Sequence, residues 1–346
     1  MLKVSIIGAT GYTGIELLRF LIRHPQVEIK NLVSHSQAGR RITDIYPQFK
    51  GAGDFTLMDY DPEVISGSDL VFTALPHGIS QQVVAEIYQL GIKVIDLSGD
   101  FRYRDISRYE SWYELEHNYP ELAREAVYGL VELKREEIKE AGLIANPGCY
   151  PTASLLGLIP LVKEEVVKRD SIIIDAKSGV SGAGKALKEP LLFNEVDESL
   201  KPYGVTSHRH TSEIEAVLEE FSPGGKEIKI SFTPHLVPMK RGILATIYAD
   251  LEVNISEEEL INLYFKYYPA GGFVQVLPGK IPQTKYVVGT NYCHLGIKVD
   301  SRTNRVIIIS AIDNLGKGAA GQAIQNMNVI FGLPEDTGLK ATGIFP

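Results

Sequence analysis

The first third of the chain alternates short β-branched apolar runs with segments whose apolar positions recur at helical spacing. Strands are expected at Lys3–Gly8, Glu28–Ser34, Leu70–Ala74, Lys93–Leu97 and Leu143–Ala145. Ile15, Leu17, Leu18, Leu21 and Ile22 make one face of a helix over Gly14–Arg23, and Ser80–Leu90 has the same texture. Strand–helix–strand alternation with short links implies parallel strands joined by right-handed crossovers, hence an α/β, Rossmann-type doubly wound sheet.

After Pro151 the pattern changes. Ile172–Ala176, Lys229–Thr233, Ile243–Leu251, Phe273–Val276 and Val306–Ile312 are strand candidates, and several alternate with period two, as in a sheet with one solvated face. Helices are expected at Ala153–Lys168, Ser212–Glu220 and Ser256–Tyr267, with a last one at Ala319–Ile330. The expected architecture is an N-terminal Rossmann-type domain over 1–148 and 313–346. An α+β catalytic and oligomerisation domain with a mostly antiparallel sheet fills 149–312. No internal repeat or low-complexity segment interrupts this plan.

Composition narrows the function class. The 346 residues are 44% hydrophobic and 23% charged, ordinary for a globular protein of two domains. Net charge is −8 and no Lys/Arg-rich run is present, so nucleic acid is not an expected partner. Only Cys149 and Cys293 are present, which excludes a disulfide scaffold and suits a reducing compartment. No apolar stretch approaches the ~20 residues of a membrane span. Met1 leads straight into Lys3-Val4-Ser5-Ile6-Ile7 with no leader pattern, so the cytoplasm is the expected location and no membrane partner is expected.

Gly8-Ala9-Thr10-Gly11-Tyr12-Thr13-Gly14 follows the first strand and opens the first helix, a G-x-x-G-x-x-G variant of the dinucleotide fingerprint. Glycines let the backbone turn tightly against a pyrophosphate, and the helix start supplies N–H groups and a positive dipole end. The second strand ends at Ser34-His35-Ser36, followed by Gly39-Arg40-Arg41. The acid that would hold a ribose 2′-hydroxyl in an NAD site is missing there. Ser34, Ser36 and Arg40 instead suit a 2′-phosphate, so the expected cofactor is NADP; the bland alternative is that the arginines are solvated loop charges.

Asn146-Pro147-Gly148-Cys149-Tyr150-Pro151-Thr152 lies where the strand Leu143–Ala145 gives way to a helix, at the carboxyl edge of the sheet. A helix N-terminus stabilises a thiolate, which marks Cys149 as a nucleophile. Cys293, after a polar Gly-Thr-Asn-Tyr turn, reads as an inert buried cysteine. In Ser207-His208-Arg209-His210-Thr211-Ser212-Glu213-Ile214-Glu215, Ser212 and Glu215 have capping-box spacing and place a helix start near Glu213. His208 and His210 would then lie in the preceding loop as candidates for the acid/base, the choice between them open. Two histidines without a carboxylate or cysteine set make a poor metal site, and no metal is expected.

In order along the chain, Gly8–Gly14, Leu75-Pro76-His77-Gly78, Asp96-Leu97-Ser98-Gly99-Asp100-Phe101-Arg102, Tyr128-Gly129-Leu130, Asn146–Thr152, Ser178–Gly184, His208–Glu213, Pro234-His235-Leu236-Val237-Pro238 and Asp313–Asn328 resemble the N-acetyl-γ-glutamyl-phosphate reductase family of the semialdehyde dehydrogenase superfamily. The resemblance runs from Gly8 to Asn328. It implies reduction of an acyl phosphate by NADPH to a semialdehyde in arginine biosynthesis, with Cys149 carrying a thioester and His208 or His210 moving the proton. It also implies a homo-oligomer, dimer or tetramer, with a small-molecule substrate.

Further roles are expected for Arg102 on the leaving phosphate and for Arg241 on a substrate carboxylate. Ser178, Gly179 and Gly182, in a loop after the strand Ile172–Ala176, would meet the cofactor. Asn314 matches a position where the superfamily holds the nicotinamide carboxamide. Related substrates, aspartyl phosphate or a carrier-bound aminoadipyl phosphate, share the chemistry, and a non-catalytic NADP-sensing regulator is the alternative of another class.

Overall fold

The computed structural model describes residues 1–344. Contacts divide the described residues into two units, Met1–Pro147 with Ala319–Lys340, and Gly148–Gly318 with 341–344. The chain rejoins the first unit at Ala319 rather than at residue 313. Asp313 belongs to the second unit because its buried carboxylate accepts from Arg241 and from the N–H of Gly289.

The first unit holds a seven-stranded sheet of β1 (Leu2–Ile7), β2 (Val27–Val33), β3 (Leu57–Met58), β4 (Leu70–Thr73), β5 (Lys93–Asp96), β6 (Val127–Tyr128) and β7 (Leu143–Ala145), in the order β3-β2-β1-β4-β5-β7-β6. Every pairing is parallel. β4 and β7 are buried along their whole length, as strands with helices on both faces must be. The five expected strands are all present; the two-residue β3 and β6 are too short to leave a pattern. The last helix, Gly321–Ile330, packs on helix Val131–Glu140 and is buried from Gly321 to Val329. Its polar side chains are accommodated by bonds: Gln322 Nε2 and Asn326 Nδ2 each donate to Gly129 O at 2.8 Å.

The second unit holds β8 (Ile173–Gly179), β9 (Lys201–Pro202), β10 (Ser231–Val237), β11 (Ile243–Asp250), β12 (Val274–Val276), β13 (Cys293–Asp300) and β14 (Arg305–Ile312), in the order β12-β13-β14-β11-β8-β10-β9. β8 with β10 and β12 with β13 are parallel, and the other four pairings are antiparallel. β11 alternates buried Ile243, Ala245, Ile247 and Ala249 with half-buried residues, and its buried face meets helix Cys149–Lys163. Among the described residues no helix is long and apolar enough to cross a membrane.

Several local expectations need correction. β8 runs on to Gly179, so Ser178 and Gly179 end a strand, and the loop begins with the short helical turn Val180–Ala183 that contains Gly182. β13 was not expected; its Cys293 is fully buried with Sγ 3.5 Å from Ser310 Oγ. The helix expected at Ala153 starts at Cys149, since a proline in the first turn costs no helical bond. It ends at Lys163, beyond which Glu165 takes a left-handed φ of 50°.

The helix expected near Glu213 starts at His210. Ser212 does not cap it: its hydroxyl donates back to Arg209 O at 2.9 Å, and Glu215 accepts the N–H of Ile230 at 3.1 Å. His210 is therefore the first helical residue rather than part of the loop.

Candidate active site

In the first unit the glycine loop leaves β1 with the N–H groups of Gly8 and Ala9 both on Val33 O at 3.0 Å. Gly8 has φ +83°, and a Cβ there would lie 2.3 Å from Ala74 O, so only glycine fits. At Gly14 a Cβ would lie 2.3 Å from Gly8 O, the close approach that seats the helix on the loop. Helix Tyr12–Leu21 opens after Gly11 with no side-chain cap and no acid in its first turn, so its leading N–H groups suit an anionic phosphate. Thr10 Oγ1 and Ser34 Oγ are 2.8 Å apart, tying the loop to the end of β2, and Tyr46 donates to Thr10 O at 2.7 Å.

Beyond β2 the expected phosphate-binding side chains divide. Ser34 is buried against Thr10, while Ser36 and Arg40 are exposed. Arg40 Nη1 donates to Gln37 Oε1 at 2.7 Å, and Arg41 is held in a two-pronged pair with Asp54 at 2.9 and 2.5 Å. Arg40 is thus the guanidinium here without a carboxylate bonded to it by that geometry, and Arg41 is the structural one.

Arg102 sits past the end of β5, half-buried, with Nε donating to Asn146 O at 2.9 Å and Nη2 to Leu97 O at 3.2 Å. These carbonyls fix the guanidinium at the carboxyl edge of the sheet. Of the two carboxylates that would make it a plain surface charge, Asp100 is buried, and Asp105 caps helix Ile106–Tyr113 through the N–H of Ser107 at 3.0 Å.

In the second unit Cys149 is the first residue of helix Cys149–Lys163 and is half-buried. Its Gly148 neighbour donates its N–H to Glu213 Oε1 at 2.9 Å, and Glu213 is itself buried. Gly318 lies against the cysteine: a Cβ there would come within 2.8 Å of Cys149 Cβ. Sequence reasoning missed both neighbours. Glu213 was visible only as part of the His-Arg-His run, and Gly318 only as one glycine of Gly316-Lys317-Gly318.

Tyr150 joins the cysteine to the histidines. Its ring lies edge-on to His208 at 5.7 Å and to His210 at 5.8 Å, and the two imidazoles are 4.8 Å apart. His208 Nδ1 accepts the N–H of His210 at 3.2 Å, which leaves the Nε2 proton on the neutral ring. Burial, with the neighbouring Arg209 charge, lowers His208 to about 4. Tyr203 reaches the same cluster, with its hydroxyl 3.0 Å from that of Tyr150.

Ser178, Gly179, Gly182, Asn314 and Arg241 form one contiguous patch in this unit. A Cβ at Gly182 would lie 3.0 Å from Ser178 Oγ, and one at Gly179 would lie 2.7 Å from Arg241 N. Asn314 donates to Ser181 Oγ at 2.9 Å and accepts from Gly242 N at 2.7 Å, so its amide already binds the surrounding loops. Arg241 Nε and Nη2 both bond Asp313 Oδ1, at 3.2 and 3.0 Å. The carboxylate anchoring expected of Arg241 is met in this structure by Asp313. Among the described residues no group of three His, Cys, Asp or Glu is placed to hold a metal ion.

Comparison with known proteins agrees in both units. Residues 3–141 match the family model of the semialdehyde dehydrogenase NAD-binding domain, and residues 149–314 match that of the semialdehyde dehydrogenase dimerisation domain. An N-acetyl-gamma-glutamyl-phosphate reductase from Halothermothrix orenii is 62% identical over 100% of both chains. One of the same description from Pelotomaculum thermopropionicum is 52% identical over 99% of both. Among solved structures, aspartate semialdehyde dehydrogenase II of Vibrio cholerae complexed with ASA superposes with a TM-score of 0.73. It covers 96% of this chain and 98% of its own, at 17% identity, a likeness of fold.

Proposed function

The chain belongs to the semialdehyde dehydrogenase family, among its N-acetyl-γ-glutamyl-phosphate reductases, and on that premise we propose that it reduces N-acetyl-L-glutamyl 5-phosphate with NADPH to N-acetyl-L-glutamate 5-semialdehyde and phosphate. The observation that carries the reading is Cys149 at the first position of a helix, followed by Tyr150, whose ring packs edge-on against both histidines. A non-catalytic NADP sensor would have no use for that arrangement.

Cys149 is the nucleophile. The helix end stabilises its thiolate, which attacks the acyl carbon of the mixed anhydride. The carbon–oxygen bond to phosphate breaks, phosphate leaves, and a thioester remains on Cys149. NADPH supplies hydride to the thioester carbon when bound. The tetrahedral hemithioacetal then expels the Cys149 thiolate and releases the aldehyde.

The two histidines divide the proton work. His208, neutral with its hydrogen on Nε2, donates a hydrogen bond to the developing oxyanion, and His210 moves the proton. Glu213 is a positioning residue: by holding Gly148 N it fixes the backbone from which Cys149 projects. Arg102 holds the departing phosphate through a guanidinium already oriented by two carbonyls. Arg241, held by Asp313, is assigned to the substrate carboxylate.

The cradle fits a dinucleotide, since Gly8 and Gly14, where a Cβ would strike Ala74 O and Gly8 O, let the loop fold tightly at the head of a helix with no side-chain cap and no acid in its first turn. Arg40 with Ser36 favours the 2′-phosphate of NADP. We place the protein in the cytoplasm as a homo-oligomer, dimer or tetramer; the description of the family model matched at residues 149–314 supports the oligomer. The test runs the reaction backward with N-acetylglutamate semialdehyde, NADP and phosphate or arsenate. NADPH formation that requires the oxyanion and disappears in Cys149→Ser is the expected result. Turnover only with aspartate semialdehyde would move the substrate, and NADP binding without turnover of any semialdehyde would overturn the enzyme reading.

A further inference from the structure

Two segments singled out in the sequence, Leu75–Gly78 after β4 and Asp96–Arg102 at the end of β5, meet in the first unit around a pair of fully buried carboxylates. Asp96 accepts three hydroxyl bonds: from Thr73 at 2.7 Å and Ser80 at 2.5 Å on Oδ1, and from Ser98 at 2.5 Å on Oδ2. Asp100 accepts the backbone N–H of Gly78 on both oxygens, at 3.0 and 2.8 Å, and the hydroxyl of Tyr109 at 2.8 Å. Its own backbone is fixed as well, with N donating to Ser98 Oγ at 3.1 Å and O accepting from His117 Nε2 at 2.8 Å. The bracing is reciprocal: Gly99 N donates to His77 Nδ1 at 2.8 Å.

Each braced segment borders a part of the proposed site. Ala74, at the root of the first, donates to Ile7 O at 2.8 Å and presents its carbonyl to Gly8, so the segment abuts the phosphate loop. The second segment ends in Arg102. We propose that Asp100 is a positioning residue that sets the His77–Gly78 turn and the Arg102 segment in fixed register, so that one buried carboxylate governs both cofactor binding and phosphate binding; this rests on the roles assigned above to the glycine loop and Arg102.

A buried carboxylate accepting a backbone N–H and a tyrosine hydroxyl is a costly way to stabilise a fold, and burying two carboxylates together costs more. Asp100 faces Asp96 from β5, Tyr109 from helix Ile106–Tyr113, His117 from the following loop, His77 from the β4 turn and Arg102 from its own segment. Burial, and then the charge of Asp96, raise its carboxyl to about 6, while the bonds from Tyr109 and Gly78 and the charge of Arg102 hold it down. Protonation takes up one of the acceptor sites and removes the negative charge facing Arg102, so the brace loosens below that pH.

The experiment compares the full-length wild type with Asp100→Asn and Tyr109→Phe in the phosphate-dependent reverse reaction from pH 5 to 8.5, with NADP binding measured separately by quenching of protein fluorescence. In Asp100→Asn at pH 8, the KM for phosphate and the Kd for NADP both rise about tenfold, the effect of one charge-assisted hydrogen bond, while kcat changes less. In wild type the KM for phosphate climbs as pH falls through about 6, a step that Asp100→Asn lacks. Tyr109→Phe, which deletes one donor and keeps the ring, shows a smaller shift in the same two constants.

Unchanged KM and Kd in a folded Asp100→Asn, or the same pH step in both proteins, would overturn the proposal. So would a rise in one constant alone, since the brace would then serve a single segment. Failure of the wild type to turn over this aldehyde strikes the functional reading instead, and the NADP arm still tests Asp100.

Discussion

Glu213 and Gly148 are joined by one hydrogen bond of 2.9 Å that spans 65 residues and ends beside the nucleophile. The acceptor is a buried carboxylate in the first turn of the histidine helix, and the donor is the residue from which the cysteine helix springs. Glu213→Ala leaves that N–H without its partner and opens a cavity, which costs about 1–3 kcal/mol. Glu213→Gln retains an acceptor. Denaturant melts and kcat should rank wild type, Gln and Ala in that order, with kcat in the Ala variant at least tenfold down; equal kcat in all three would remove Glu213 from the positioning role.

Gly318 constrains Cys149 by proximity alone. Gly318→Ala forces a methyl to within 2.8 Å of Cys149 Cβ, so the helix start must shift. A misplacement of a few tenths of an ångström to 1 Å at a reacting atom costs up to about 10²-fold in rate. The expectation is a large fall in kcat with an overpacking cost of about 1–3 kcal/mol. Iodoacetamide labelling of Cys149 should slow in parallel; wild-type labelling and turnover would show that the neighbour gives way.

Cofactor choice should rest on Arg40 rather than Arg41. Arg40→Ala is expected to raise the KM for NADP by about tenfold or more and to leave that for NAD nearly unchanged, as loss of a charge-assisted bond to the 2′-phosphate requires. Arg41→Ala breaks the exposed pair with Asp54, worth at most about 1 kcal/mol, and should change both KM values little. A mutant pair with the reverse behaviour would assign the phosphate to Arg41.

His208 gives the acid limb of stability its sign. Its folded value of about 4 lies below the unfolded value of 6.5, so the unfolded chain binds the proton first as pH falls. The native state is favoured fully above pH 6.5, and about 3 kcal/mol is lost progressively down to pH 4. His208→Asn, whose side-chain oxygen replaces the Nδ1 acceptor, should lose less stability between pH 7 and pH 4.5 in urea titrations. Identical slopes for both proteins would show that the ring is protonated in the native state.

Much of this was legible in the sequence because the signals were local. A fully buried parallel strand such as Leu70–Thr73 is a run of mostly apolar residues wherever it occurs, and the three glycines of the loop stand within seven residues of one another in the sequence. The errors had equally physical sources. The helix was expected from Ala153, yet a proline in the first turn lacks only an N–H that has no helical partner, so Cys149 itself begins the helix. Ser212 and Glu215 have capping-box spacing, but a bond from Ser212 back to Arg209 O and a bond from Ile230 N to Glu215 use their side chains otherwise. Glu213 and Gly318 act on Cys149 across 64 and 169 residues of sequence, and no local pattern carries such a pairing.

The helix that begins at Cys149 is enclosed from Tyr150 through Val162, with every one of those residues buried. Its backbone bonds can then break only when the surrounding layers separate, so its amides should be among the slowest in the second unit to exchange with heavy water. The reactive thiol is thus rooted at the start of an element buried along nearly its whole length. Partial opening under heat or denaturant would strip the residues that orient the reaction before it dislodges the cysteine, leaving a protein that still forms covalent adducts after it has ceased to turn over.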